Sequence, residues 1–276
     1  MPKYAILGAT GQAGSELVKL LLEDPAATQL HLYARSAERL STLHPAVAST
    51  EKASTFIGEV SDVALLTNCI RGSDVVFNTV AQNTNEPTVD IAQRVAHGIV
   101  SALELLREEA PTPSAWTCPT LVFLSSAAVN PKLPATLPPF FQWLMRQGEY
   151  NVYGDIKHAT AYLQSQTWLP LVLAQSGGLV HDKARGVRIS ATEVSPLLSY
   201  ADLARGMVMM SGRDGDEQDG AGREEWVGKE VGLVGLGGKE IDARSMSRNL
   251  FSYLLPGLVC QWFPSLWRVG RWCRFW

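Results

Sequence analysis

Apolar residues along this 276-residue chain fall into two patterns, short continuous runs and runs spaced three and four apart. The continuous runs read as strands buried on both faces, and the wider spacing reads as amphipathic helices. The first run, Tyr4-Ala5-Ile6-Leu7, predicts a strand. A helix follows over 12–23, with Ala13, Leu17, Leu20 and Leu21 on one face and Pro25 just beyond its end. Further strands are predicted at 29–34, 55–58, 73–80, 120–124 and 169–174. The helices between them are predicted from Ser36 through Leu40, over 63–70, over about 89–109, and over 153–166. A proline-rich connection through Pro138-Pro139 separates the fifth strand from the last of these helices. Alternation of strand and helix predicts an α/β fold, a Rossmann-type doubly wound parallel sheet with helices on both faces.

After about residue 178 the pattern loses regularity. A strand is predicted at 187–190, Ser199 caps a helix through Met210 with Asp202 in its first turn, and 226–236 reads as a last strand. The segment 212–222, with Asp214, Asp216, Glu217 and Asp219 among glycines, reads as a mobile surface loop. The expected organisation is one domain over 1–236, including a small irregular substrate lobe from about 178, and a helical tail over 237–276. That tail carries Trp262, Trp267, Trp272 and Trp276 with Arg268, Arg271 and Arg274 among them. Pro256 and Pro264 argue against a continuous spanning helix. Trp beside Arg suits a peripheral membrane contact, and packing on the domain or on a second subunit is the better supported alternative.

Composition narrows the function classes. A formal charge of −3 with 46% hydrophobic residues gives no electrostatic reason to propose nucleic acid as a partner. The four cysteines are scattered and no two histidines stand three or four residues apart, so neither a disulfide framework nor a metal site is expected. The chain enters its first strand at once, which leaves no room for a leader peptide. The expected location is the reducing cytoplasm, with membrane association only through the tail.

The chemistry is concentrated in two places. Gly8-Ala9-Thr10-Gly11-Gln12-Ala13-Gly14 follows a strand and opens a helix, the geometry that sets a dinucleotide pyrophosphate on unpaired backbone N–H groups at a helix N-terminus. Gly8, Thr10, Gly11, Gln12 and Gly14 are therefore candidate cofactor residues. At the end of the second strand, where an NAD site needs a carboxylate for the ribose, the chain has Arg35-Ser36. A guanidinium and a hydroxyl suit a 2′-phosphate, so NADP is the expected cofactor and NAD the poorer fit. Farther along, Tyr153-Gly154-Asp155-Ile156-Lys157 puts a phenol and an ammonium one turn apart on a helix. A nearby ammonium would lower the phenol's pKa and make it a proton donor or acceptor.

These motifs in this order resemble the short-chain dehydrogenase/reductase superfamily over nearly the whole chain to about Leu236. The blocks Tyr4 to Gly11, Val80-Ala81-Gln82-Asn83, Tyr153 to Lys157, Ile189-Ser190-Ala191-Thr192-Glu193 and Leu198 to Leu203 are similar to its atypical, NmrA-like branch. Within that branch they resemble the averufin oxidase A-like proteins of fungal aromatic polyketide pathways. The resemblance implies Tyr153 as general acid/base, Lys157 as the group that lowers its pKa and holds the nicotinamide ribose, and Ser126 as hydrogen-bond partner of the reacting oxygen. It adds Asp62 and Ala81 to the cofactor set, with Ser125 as the alternate of Ser126. Gln82 and Asn83, at the carboxyl end of a central strand where a ligand crevice opens, are candidates to contact nicotinamide or substrate or else to cap the next helix. Ser125 and Gly177 complete the expected substrate set. The implied activity is NADP-dependent oxidoreduction of an anthraquinone- or xanthone-type intermediate. A non-redox isomerase, dehydratase or cyclase on the same scaffold, or a non-catalytic NADP-binding regulator, are the alternatives. Departures from the superfamily pattern at Ala81-Gln82-Asn83 and Gln175-Ser176-Gly177-Gly178 bear on hydride transfer more than on cofactor binding.

Overall fold

The computed structural model describes residues 2–82, 84–112, 115–133, 139–212, 226–237, 254–265 and 267. An eight-stranded sheet runs β3(Ala53–Ile57), β2(Gln29–Ala34), β1(Lys3–Leu7), β4(Val75–Asn78), β5(Thr120–Ser126), β6(Leu171–Ser176), β10(Glu230–Gly235) and β8(Val187–Ser190) in space. All neighbours are parallel except β10 and β8. The strand order reverses between β1 and β4, and a ligand crevice opens beyond the carboxyl ends at such a switch point.

The helices α1(Gln12–Glu23) and α7(Tyr200–Met210) cover one face of the sheet, and α3(Val63–Ile70), α4(Ile91–Glu108) and α6(Tyr150–Ser165) cover the other. Central strands read as apolar runs because both faces are buried: Tyr4, Ala5, Ile6 and Leu7 are all fully inaccessible. Tyr4 and Phe77 stack across β1 and β4 at 5.6 Å. The helix α2(Ala37–Leu43) starts at Ser36, whose hydroxyl accepts from the Arg39 amide.

Three parts of the fold depart from the sequence reading. The expected proline-rich connection contains a helix, α5(Pro139–Gly148). Proline at the first helical position has its φ already set and gives up only an amide that would be unpaired anyway. A second, two-stranded parallel sheet joins β7(Gly178–Val180) to β9(Leu197–Ser199). The last strand of the main sheet is shorter than the run 226–236, because Gly228 turns the chain in a left-handed conformation just ahead of it. Most of the acidic segment 212–222 lies outside the described residues.

The tail supplies α8(Leu255–Trp262), which packs on α5. The two helices meet at glycines: a Cβ on Gly257 would overlap the Gly148 carbonyl oxygen. Trp143 and Trp262 rings meet at 5.8 Å across the same contact. Asn85, in the loop after β4, donates to the Gly257 carbonyl. Arg268, Arg271, Arg274, Trp272 and Trp276 lie outside the described residues. Among the described residues no helix is long and apolar enough to cross a membrane.

Candidate active site

The glycine turn is a cradle shaped by close approach. Gly8 sits at φ +89°, and a Cβ there would stand 3.0 Å from Thr79 Oγ1 and 3.1 Å from the Val80 amide nitrogen. A Cβ on Gly14 would collide with the Gly8 carbonyl oxygen and lie 2.8 Å from Thr79 Oγ1. The turn is closed by Gly11 N donating to Gly8 O at 2.8 Å, and Thr79 Oγ1 ties it to β4 by donating to Leu7 O at 2.8 Å. Gly11 caps α1 with no side-chain hydrogen bond, so the first amides of the helix are left for an anion. A dinucleotide phosphate fits this cradle. His44 braces it from behind: its buried ring lies 3.1 Å from Ser15 Oγ and close to the Ala9 backbone.

Arg35 and Ser36 stand at the carboxyl end of β2, Arg35 exposed and Ser36 serving also as the α2 cap. Asp62, exposed, uses its carboxylate to cap α3 through the Leu65 amide at 2.9 Å. Tyr33 is buried beside it and donates to the Glu59 carbonyl at 2.8 Å. Burial pushes its phenol up to about 12, with Asp62 adding to the rise.

From the glycine turn a cavity of about 530 Å³ extends to α5, α6 and the β7–β9 sheet. Gly11, Gln12, Ala81, Gln82, Ser125, Ser126, Tyr153 and Gly177, all expected from the sequence, line it together. Asn83 lies outside the described residues. Much of the remaining wall is apolar: Phe123, Leu124, Met145, Val152, Leu179, Val180, Leu197 and Leu254. Ser125 Oγ is buried and makes no hydrogen bond, which leaves an O–H available to a ligand oxygen. Gly177 is glycine because the chain at Ser195-Pro196 crosses where a Cβ would stand, and that crossing lets β7 and β9 pair.

Ser126 stands near enough to the Tyr153 phenol to draw its pKa down, and its Oγ accepts from the Ala128 amide at 3.2 Å. The phenol is pushed well above the ordinary tyrosine range, first by burial and then by the nearby Glu149, against the smaller downward pull of Ser126 and Arg146. Lys157 is exposed, does not line the cavity and is not among the groups acting on the phenol. The spacing places it one turn from Tyr153, but four residues also rotate it by about 40° about the helix axis. Tyr153 in this arrangement is a protonated donor at neutral pH.

Asp155, between these two residues, is buried and structural. Its carboxylate accepts from the Ala92 and Gln93 amides at 2.8 and 3.1 Å and from Gln93 Nε2 at 3.0 Å. It thereby caps α4 from the neighbouring helix. Asn85 does the same for α6, where its Oδ1 accepts from the Asn151 and Val152 amides. Behind Ser125 and Ser126, Asn130 donates to Gln175 at 2.8 Å and fixes the chain after β5 against β6.

Sequence reasoning missed the α5 wall and the residues Glu149, Met145, Tyr200 and Leu254 that line the cavity. Phe140, Leu144, Met145 and Gly148 carry a helical three–four spacing that could have found α5. Nothing local marks Glu149, which stands between Gly148 and Tyr150 as an ordinary polar residue. Among the described residues no cluster of three potential metal ligands occurs.

Residues 8–210 match the family described as NAD(P)H-binding. The chain is 38% identical over 218 residues to oxidoreductase stcQ of Emericella nidulans, covering 78% of each chain. It is 32% identical over 265 residues to oxidoreductase aflX of Aspergillus parasiticus, covering 96% of this chain and 93% of that one. Its fold is that of a short-chain dehydrogenase/reductase from Veillonella parvula solved in complex with NADP (TM-score 0.64, 16% identity, 87% and 97% coverage). A nicotinamide-dinucleotide turn, a Ser–Tyr pair facing it across one cavity and oxidoreductase relatives along most of the chain agree. The chain belongs to the NAD(P)H-binding family and is an NAD(P)-dependent oxidoreductase with the fold of a short-chain dehydrogenase/reductase.

Proposed function

We propose that this oxidoreductase uses NADP(H) and acts on an apolar aromatic polyketide of the anthraquinone or xanthone type. The observation that carries the reading is the cavity itself, largely apolar, opening at the glycine turn and ending at the Ser126–Tyr153 pair. Its volume lies in the range of small-molecule sites. Gly8, Thr10, Gly11, Gln12 and Gly14 would hold the pyrophosphate. Arg35 and Ser36 would take the 2′-phosphate, and the NADP bound by the Veillonella fold neighbour supports that choice. Asp62 would border the adenine, and Ala81 and Lys157 the nicotinamide ribose. Gln82, Asn83, Ser125 and Gly177 would border the substrate. The Trp and Arg composition of the C-terminal segment supports substrate capture at a membrane surface or beside a second subunit.

The bound nicotinamide supplies the hydride chemistry. Tyr153 Oη and Ser126 Oγ donate hydrogen bonds to the substrate oxygen and stabilise the negative charge that develops there. In the reducing direction the proton at Tyr153 Oη passes to that oxygen. Fluorescence titration with NADPH and NADH tests the cofactor. Arg35→Ala should weaken NADPH about tenfold to a hundredfold, the worth of one charge-assisted pair, and leave NADH unchanged. Equal weakening of both cofactors would remove the NADP assignment. Tyr153→Phe should then retain NADPH binding and lose turnover of hydroxyanthraquinones by about a hundredfold or more.

A further inference from the structure

Glu149 is a carboxyl that the fold has released from structural duty and set in the cavity wall. It occupies the cap position of α6 yet makes no side-chain capping bond. Asn85 reaches across from the loop after β4 and takes the Asn151 and Val152 amides instead. The Glu149 side chain lines the cavity in the same wall as Met145, Val152 and Leu254. Its backbone carbonyl accepts from the Tyr153 amide at 2.8 Å, so carboxyl and phenol stand one helical turn apart and share a face.

We propose that Glu149 is the Brønsted base of this cavity, accepting the proton of a substrate hydroxyl, while Tyr153 stays protonated and donates to the oxyanion that results. In that step the substrate O–H bond breaks and a new O–H bond forms on the Glu149 carboxylate. The single negative charge moves from the carboxylate to the substrate oxygen. That oxygen then lies against the hydroxyls of Tyr153 and Ser126, which suit an oxyanion. The assignment rests on the phenolic substrate class proposed above.

The electrostatics agree with the geometry. Burial alone pushes the Glu149 carboxyl up to about 8, while the Tyr153 phenol is driven far above neutrality. Above about pH 8 the carboxyl is ionised while the phenol still holds its proton, which divides the roles of base and donor between them. Glu149 acts on the Tyr153 phenol on α6, and Arg146 on α5 is the cation that also acts on that phenol. The described part of α8, which packs behind α5, carries no Asp, Glu, Lys, Arg or His. The positive end of the α6 dipole lies behind the carboxylate and steadies it once formed.

The test uses the full-length protein with 1,3-dihydroxyanthraquinone as probe, its binding read from the visible band. In heavy water the ring C–H between the two hydroxyls exchanges by way of the phenolate, so its disappearance by proton NMR reports hydroxyl ionisation without hydride transfer. Wild type should accelerate exchange over the protein-free rate. Glu149→Gln should cut that acceleration about a hundredfold with probe affinity unchanged, and Glu149→Asp should restore part of it. Equal acceleration by wild type and Glu149→Gln, with probe bound to both, overturns the assignment and leaves the oxidoreductase reading standing. Absence of probe binding to wild type overturns the aromatic-substrate reading and this assignment with it. If Glu149→Gln melts early, the wild-type profile decides: acceleration should rise through about pH 8, and a flat profile there overturns the assignment.

Discussion

Gly14→Ala is the sharpest probe of the phosphate cradle. The added Cβ would collide with the Gly8 carbonyl oxygen and stand 2.8 Å from both the Gly8 carbonyl carbon and Thr79 Oγ1. Opening the 2.8 Å contacts to ordinary van der Waals distance displaces the start of α1 by more than half an ångström. Amides that would meet a phosphate near 2.9 Å then fall at or beyond 3.5 Å, where a hydrogen bond is largely lost. Charge-assisted bonds contribute about 1.5–3 kcal/mol each. Losing the better part of two, with some relaxation of the ligand, costs about 3 kcal/mol, or roughly a hundredfold in affinity. Strain of about 1–3 kcal/mol in the fold is offset in part by alanine's advantage in a helix, about 1 kcal/mol, so Tm should fall by only about 2–6 °C. Gly154→Ala is the control: it lies in α6 with nothing within 4 Å of the added Cβ, and should leave NADPH binding intact while raising Tm by about 2 °C. NADPH fluorescence titration and thermal melts read both variants. Wild-type NADPH affinity in Gly14→Ala would refute the cradle as the phosphate site.

Asp155→Ala should lower Tm by about 5–10 °C, because it leaves two buried α4 amides unpaired at about 2–4 kcal/mol; an unchanged melt would contradict its capping role. His44 is held below its usual pKa of 6.5, first by burial, so its contribution to stability is whole above that value and is lost as pH falls through the lower folded value. His44→Gln should therefore lose less Tm than wild type between about pH 7 and pH 5, and parallel pH–Tm curves would dismiss the buried neutral ring.

The central strands were legible because parallel strands covered on both faces cannot alternate: Tyr4 to Leu7 and Leu121 to Phe123 announce themselves as apolar runs. The glycine turn was legible because its demands are local, a left-handed Gly8 and a Gly14 against Gly8. The substrate side was not. Strands of three residues such as β7 and β9 carry too short a period to detect, and Pro138-Pro139 masked the start of α5. Glu149 takes its character from Asn85, which is 64 positions away in the chain, and from the C-terminal wall at Leu254. Lys157 was placed by spacing on the face of Tyr153, and spacing does not fix how far around the helix a long side chain emerges. The role of Asp155 has no local signature, because its two partners begin a helix more than sixty residues earlier.

The glycine-to-glycine seat of α8 on α5 gives late coding errors an unusual consequence. A message stopped or spliced before codon 254 would still encode both faces of the sheet, the phosphate cradle and the Tyr153 helix. The reaction chamber would lack the wall that Leu254 contributes, and Asn85 would lose its carbonyl acceptor on Gly257. Such a product would keep the residues of the glycine turn and the Ser126–Tyr153 pair while lacking one wall of its chamber.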